Sequence, residues 1–106
     1  MRLTAIILAA QAALCATAIQ ASAEEVAVGQ AGKMFNPDTL QIKAGDSVKF
    51  TNDDKVAHAV LVEGPVVTNV GQIKIGEAKS VSFSQAGTYE VKCAIHPKMK
   101  LTITVQ

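Results

Sequence analysis

The chain is poor in the residues that most protein chemistry uses. It holds two histidines, His58 and His96, and two cysteines, Cys15 and Cys93. With no spare histidine, it cannot build a second imidazole-rich metal centre. Neither sign of charge dominates: the formal net charge is +1, and Arg2 is the sole arginine. Setting Arg2 aside leaves nine Lys against nine Asp and Glu. Nucleic-acid binding requires a basic face that displaces counterions, so it is not expected. No long stretch after the first two dozen residues repeats at the helical period of 3.6, and no internal repeat, low-complexity tract or second domain is visible. Asn52-Asp53-Asp54 lacks the further spaced acidic ligands of a calcium loop and reads as a solvated turn.

The longest apolar run is at the start. Leu3 to Ile19 is apolar apart from Thr4, Gln11 and Thr17, Arg2 precedes it, and Ala21-Ser22-Ala23 is a small-residue cleavage site. Residues 1–23 therefore read as a secretory signal peptide. The run falls short of the roughly 20 apolar residues of a membrane span, and no basic cluster follows it. Leu14 is too bulky for the residue before a lipidated cysteine, so Cys15 belongs to the discarded segment. The expected mature protein is one domain, residues 24–106, periplasmic, monomeric and not inserted in a membrane. Its core is small enough for a bound metal to matter. It keeps Cys93 alone. An exported domain usually pairs its cysteines, and an unpaired thiol in an oxidising compartment is a liability unless a metal occupies it.

Period-two alternation and glycine turns dominate residues 24–106. Val26 and Val28, Leu40 and Ile42, Val48 and Phe50, and Val81 and Phe83 mark strands. Tyr89, Val91 and Cys93 share one strand face, and Leu101, Ile103 and Val105 form a closing strand. Ala57 to Val62 is an unbroken apolar run containing His58, as in a strand buried on both sides. Val66 to Ile75 reads less clearly, as one strand or as two short ones broken near Gly71. Met34 is assigned to core packing beside Phe35. The whole implies an all-β, antiparallel two-sheet Greek-key sandwich of seven or eight strands.

On that frame, Cys93-x-x-His96-x-x-Met99 gathers a thiolate, an imidazole and a thioether in one loop. Soft sulfur with borderline nitrogen suits copper far better than magnesium, calcium or a hydrolytic zinc. A copper held by two His and one Cys with a distant Met needs a second imidazole, and His58 is the one available. Alternation aims Cys93 inward, and His58 is expected to complete the set from across the sandwich end.

Gly87-Thr-Tyr-Glu-Val-Lys-Cys93-Ala-Ile-His96-Pro-Lys-Met99 resembles the ligand loop of the small blue copper proteins, the cupredoxins. Lys33-Met-Phe-Asn-Pro, Ala44-Gly-Asp-Ser-Val-Lys-Phe50 and His58 resemble the family in the same order. The two-residue gap between His96 and Met99 is similar to the amicyanin type, whereas plastocyanins and pseudoazurins have a longer one. The resemblance implies one type 1 copper ion, with His58, Cys93 and His96 as strong ligands and Met99 as weak axial ligand. It also implies a periplasmic one-electron carrier rather than an enzyme. The exit would lie at His96, through an apolar patch including Ala94, Ile95 and Pro97. The redox partners implied are an amine dehydrogenase (methylamine dehydrogenase in the amicyanin kind) and a c-type cytochrome. Lys98 and Lys100 are as readily an ordinary exposed edge as a guide for an acidic partner.

Two positions depart from the family pattern. Ala59 stands where Asn usually follows the first ligand, and Ala94 where Thr or Ser usually follows the cysteine. Replacing both polar partners together is nearly neutral, so an apolar contact and a less rigid site are expected. The Ala59 N–H remains free to reach the Cys93 sulfur. A copper carrier or chaperone is the alternative function, but it favours Met- and His-rich clusters that this chain lacks. A copper enzyme would need an open coordination position or a second metal.

Overall fold

Inward-facing branched and aromatic side chains, one every second residue, build nine strands in the computed structural model, which describes residues 23–106. They are β1 (Glu25–Ala31), β2 (Met34–Asn36), β3 (Thr39–Ile42), β4 (Ser47–Asn52) and β5 (His58–Glu63). β6 (Thr68–Ile73), β7 (Ala78–Ser82), β8 (Gly87–Cys93) and β9 (Lys100–Val105) follow. One sheet has the order β2-β1-β4-β7 and the other β3-β9-β8-β5-β6. The all-β two-sheet sandwich is thus as expected. It has nine strands, because the three-residue β2 is too short for alternation to reveal. Most neighbours are antiparallel, but β1 runs parallel to β4 and β3 parallel to β9.

The core lies between the sheets. Val48 and Phe50 of β4 face Tyr89, Val91 and Cys93 of β8 and Leu101, Ile103 and Val105 of β9 within one buried cluster. Each buried aliphatic or aromatic side chain contributes about 1.5–3 kcal/mol, which for so small a domain makes every core position count. Turns set the register. Gly45, at φ 100°, allows the reversal before β4, and Asp46 fixes it by accepting the backbone N–H groups of Glu24 and Lys43 at 3.0 and 2.9 Å. These bonds, Glu24 first, hold the Asp46 carboxyl below its ordinary pKa.

Two expectations need correction, and one open alternative is decided. β5 is buried on one face only: His58, Val60 and Val62 point inward, while Ala59, Leu61 and Glu63 are half-exposed on an outer face that no further layer covers. Residues 68–73 form one strand, not two. Its pairing with β5 skips Val70, a β-bulge that Gly71 accommodates at φ 82°. Met34 is 62% exposed while Phe35 is 3% exposed, since neighbours on a strand face opposite ways. The signal-peptide reading falls on residues outside those described, apart from Ala23.

Candidate metal centre

Strand register brings the ligand candidates to one end of the sandwich. β5 starts at His58 and β8 ends at Cys93, and the two strands are hydrogen-bonded neighbours with Val60 opposite Cys93. His58 and Val60, two residues apart, share the inward face with Cys93. His58 therefore reaches the site from the adjacent strand of the same sheet, and not from across the sandwich as expected. The loop from Ala94 to Met99 then folds back, with the Met99 N–H donating to the His96 carbonyl at 3.0 Å.

Three donor atoms converge. Cys93 Sγ lies 3.7 Å from His58 Nδ1 and 3.6 Å from His96 Nδ1, and the two Nδ1 atoms are 3.1 Å apart. Metal bonds of about 2.0 Å to imidazole and 2.3 Å to thiolate, set trigonally, place such atoms roughly 3.5–3.8 Å apart. Both sulfur–nitrogen distances fall in that range, and the nitrogen–nitrogen distance is somewhat shorter. His58 is fully buried, Cys93 is 2% exposed and unpaired, and His96 is half-exposed. Met99, 1% exposed, completes the loop immediately before β9. The donor set fits one type 1 copper ion.

The surroundings orient these donors. Asp54 Oδ2 accepts the Nε2–H of His58 at 3.0 Å, which orients the ring with Nδ1 toward the Cys93 sulfur. The same carboxylate accepts the backbone N–H groups of Lys33 and Lys55, each at 2.8 Å. These two bonds, Lys33 first, and then the His58 contact hold its pKa down to about 2, so Asp54 is an anion at neutral pH. Asn52 beside it is buried and donates to the carbonyls of Val56 and Ile73, both at 2.9 Å. Asn52 and Asp54 therefore belong to the site's scaffold, while Asp53 between them is exposed, as expected of a solvated turn. Sequence reasoning missed Asp54, and the signal available was its i, i+4 spacing to His58.

The two alanine departures are resolved by backbone. The Ala94 N–H donates to the Ala59 carbonyl at 2.8 Å, and the Ala59 N–H reaches Cys93 Sγ at 3.4 Å. The second contact is as expected. The first means that main chain ties the two ligand segments, in addition to any apolar contact. Outside, the half-exposed edge of His96 opens on a shallow, mostly apolar groove formed by Met34, Ile95 and Pro97, with Lys33 and Lys98 at its rim. Met34 thus lines the groove instead of filling the core. Ala94 lies on a separate hollow with Leu61, Lys92 and Lys100.

A family model described as "Cupredoxin-like domain" matches residues 4–105. Pseudoazurin from Methylorubrum extorquens is 36% identical over 110 residues, covering 95% of this chain and 74% of its own. Amicyanin-alpha from the same organism is 33% identical over 111 residues, covering 92% of this chain and 88% of its own. A solved structure of the Cu-containing nitrite reductase from Thermus scotoductus SA-01 matches with TM-score 0.72 and 29% identity over 83% of this chain. This chain spans only 23% of that enzyme. The chain belongs to the cupredoxin-like family. Within it, the site defines a type 1 copper electron-transfer protein of the plastocyanin, amicyanin and pseudoazurin kind, a carrier and not an enzyme.

Proposed function

We propose that the mature protein is a periplasmic carrier that exchanges single electrons with two redox proteins at the His96 groove. The carrying observation is the convergence of His58 Nδ1, Cys93 Sγ and His96 Nδ1 at 3.1–3.7 Å, with only the last residue reaching the surface. His58, Cys93 and His96 would hold the copper ion as strong ligands, and the buried Met99 would be the weak one. Bound copper supplies the one-electron couple between Cu(I) and Cu(II). The chain's own part is to hold the donors in one arrangement for both oxidation states. Asp54 does so at His58, and the Ala59–Ala94 tie does so between the two ligand segments. Exclusion of water by Cys93, Met99 and their neighbours limits solvent rearrangement as the charge changes.

In this reading residues 1–23 are removed during export, which leaves Cys93 as the single thiol. Among the described residues no helix is long and apolar enough to cross a membrane. An amine dehydrogenase as donor and a c-type cytochrome as acceptor follow from the amicyanin-like loop length. The groove's apolar centre and flanking lysines suit transient docking of either.

Addition of Cu(II) to residues 24–106 is expected to produce one intense visible thiolate-to-copper absorption per chain and a reversible one-electron wave in voltammetry. Copper uptake without that wave would favour the copper carrier or chaperone. No visible absorption would remove the blue-copper reading altogether.

A further inference from the structure

One oxygen atom links the buried side of the metal centre to the rim of the docking groove. Asp54 Oδ2 is 3.0 Å from His58 Nε2 and 2.8 Å from the backbone nitrogen of Lys33. Lys33 lies in the turn between β1 and β2 at φ 56°, directly after Gly32 at φ 60°. L side chains rarely adopt that conformation, so the turn depends on partners outside itself. Asp54 provides one, and its other oxygen is anchored by the Lys55 N–H. The next residue, Met34, projects into the groove beside His96. A load on the turn thus reaches His58 through two hydrogen bonds, without passing through the loop that carries the other ligands.

We infer that Asp54 is a positioning residue that couples the β1–β2 turn to the metal centre, so that a partner seated on Met34 and Lys33 shifts the copper potential. This rests on the electron-carrier reading. The Lys33 N–H and the His58 N–H compete for the same anionic oxygen. When the turn holds Lys33 close, less negative charge is available to the imidazole. When the turn lifts, His58 receives more, and the more highly charged Cu(II) state gains relative to Cu(I). Coupling is reciprocal: if the turn biases the oxidation state, the oxidation state must bias the turn.

Hydrogen exchange read by mass spectrometry tests both directions, with the 24–106 protein and its Asp54→Ala and Asp54→Asn variants. In copper-free protein, Asp54→Ala is expected to speed exchange of the Lys33 amide at least tenfold while other β1 amides keep their rates. In copper-loaded wild type, that amide should exchange at rates differing at least threefold between oxidised and reduced protein, and Asp54→Ala should abolish the difference. The same variant should favour Cu(I) about tenfold, an upward shift of about 59 mV for one electron. Asp54→Asn, which keeps a neutral acceptor, should fall between the two, and it carries the test if the alanine variant does not fold. Unchanged Lys33 exchange in both variants overturns the tether. A moved potential with Lys33 exchange indifferent to oxidation state also overturns it, since Asp54 would then act on His58 alone. Failure of wild type to take up Cu(II) overturns the carrier reading itself, and the copper-free exchange distinguishes that result from a failed tether.

Discussion

Met99 and Cys93 both belong to the buried cluster, yet their replacement has opposite consequences. Cys93 provides the thiolate. Cys93→Ser removes the polarizable sulfur on which strong visible absorption depends, so copper-loaded C93S should be nearly colourless while its far-UV circular dichroism stays that of a β-sandwich. Met99→Leu conserves volume and should cost less than about 1.5 kcal/mol of stability in a denaturant titration. It should keep the colour and raise the potential, because losing a weak axial donor disfavours Cu(II) more than Cu(I). The convergence of His58, Cys93 and His96 was legible in the sequence because copper chemistry demands particular atoms, and the chain offers almost no competitors to them. The link from Asp54 to the β1–β2 turn was not legible, although its spacing to His58 was. The link comes from accepting a backbone N–H 21 residues away, and any residue at position 33 except proline has that donor.

At the level of strands and turns, alternation gave the inward faces of β4, β8 and β9 correctly. It failed at β2, where three residues carry too little pattern, and at β6, where the Val70 bulge breaks the period. Close contacts between elements were invisible for a related reason: a glycine's missing side chain says nothing about which neighbour fills the space. A Cβ on Gly64 would lie 2.6 Å from Tyr89 Cδ2 and 2.9 Å from the Thr88 carbonyl oxygen. Tyr89 is held in place by its hydroxyl, which donates to the Gln85 carbonyl at 2.8 Å, and by edge-on packing with Phe83. Gly64→Ala should therefore lower stability by about 1–3 kcal/mol, read from the urea midpoint at unchanged slope. Asp46 gives a pH prediction. Its folded pKa is depressed, so its contribution is present above the unfolded value of about 3.9 and fades as pH falls through the lower folded value. Thermal midpoints of wild type should fall over that acid range, and Asp46→Asn should be less stable at neutral pH with a flatter acid limb.

For the molecule as a whole, a core this small leaves stability open to the ligand. Metal at 100 times its dissociation constant adds about 2.7 kcal/mol by mass action. For a domain of this size that corresponds to roughly 10 °C or more in thermal midpoint. A copper-loaded sample should show that rise in calorimetry, and a chelator strong enough to strip the ion should reverse it. The overall architecture was legible from strand spacing, but the parallel pairings of β1 with β4 and β3 with β9 were not, because alternation specifies faces and says nothing about neighbours.

The position of β9 has a consequence for how the chain folds. It is the last strand in chain order, yet it lies inside its sheet, with β3 on one side and β8 on the other. Until residues 100–105 arrive, β3 has no neighbour in that sheet, and Leu101, Ile103 and Val105 are missing from the core. Both the pairing of β3 and this part of the core are therefore long-range: they close only when the C-terminal strand meets a segment about sixty residues earlier, a topology that slows folding.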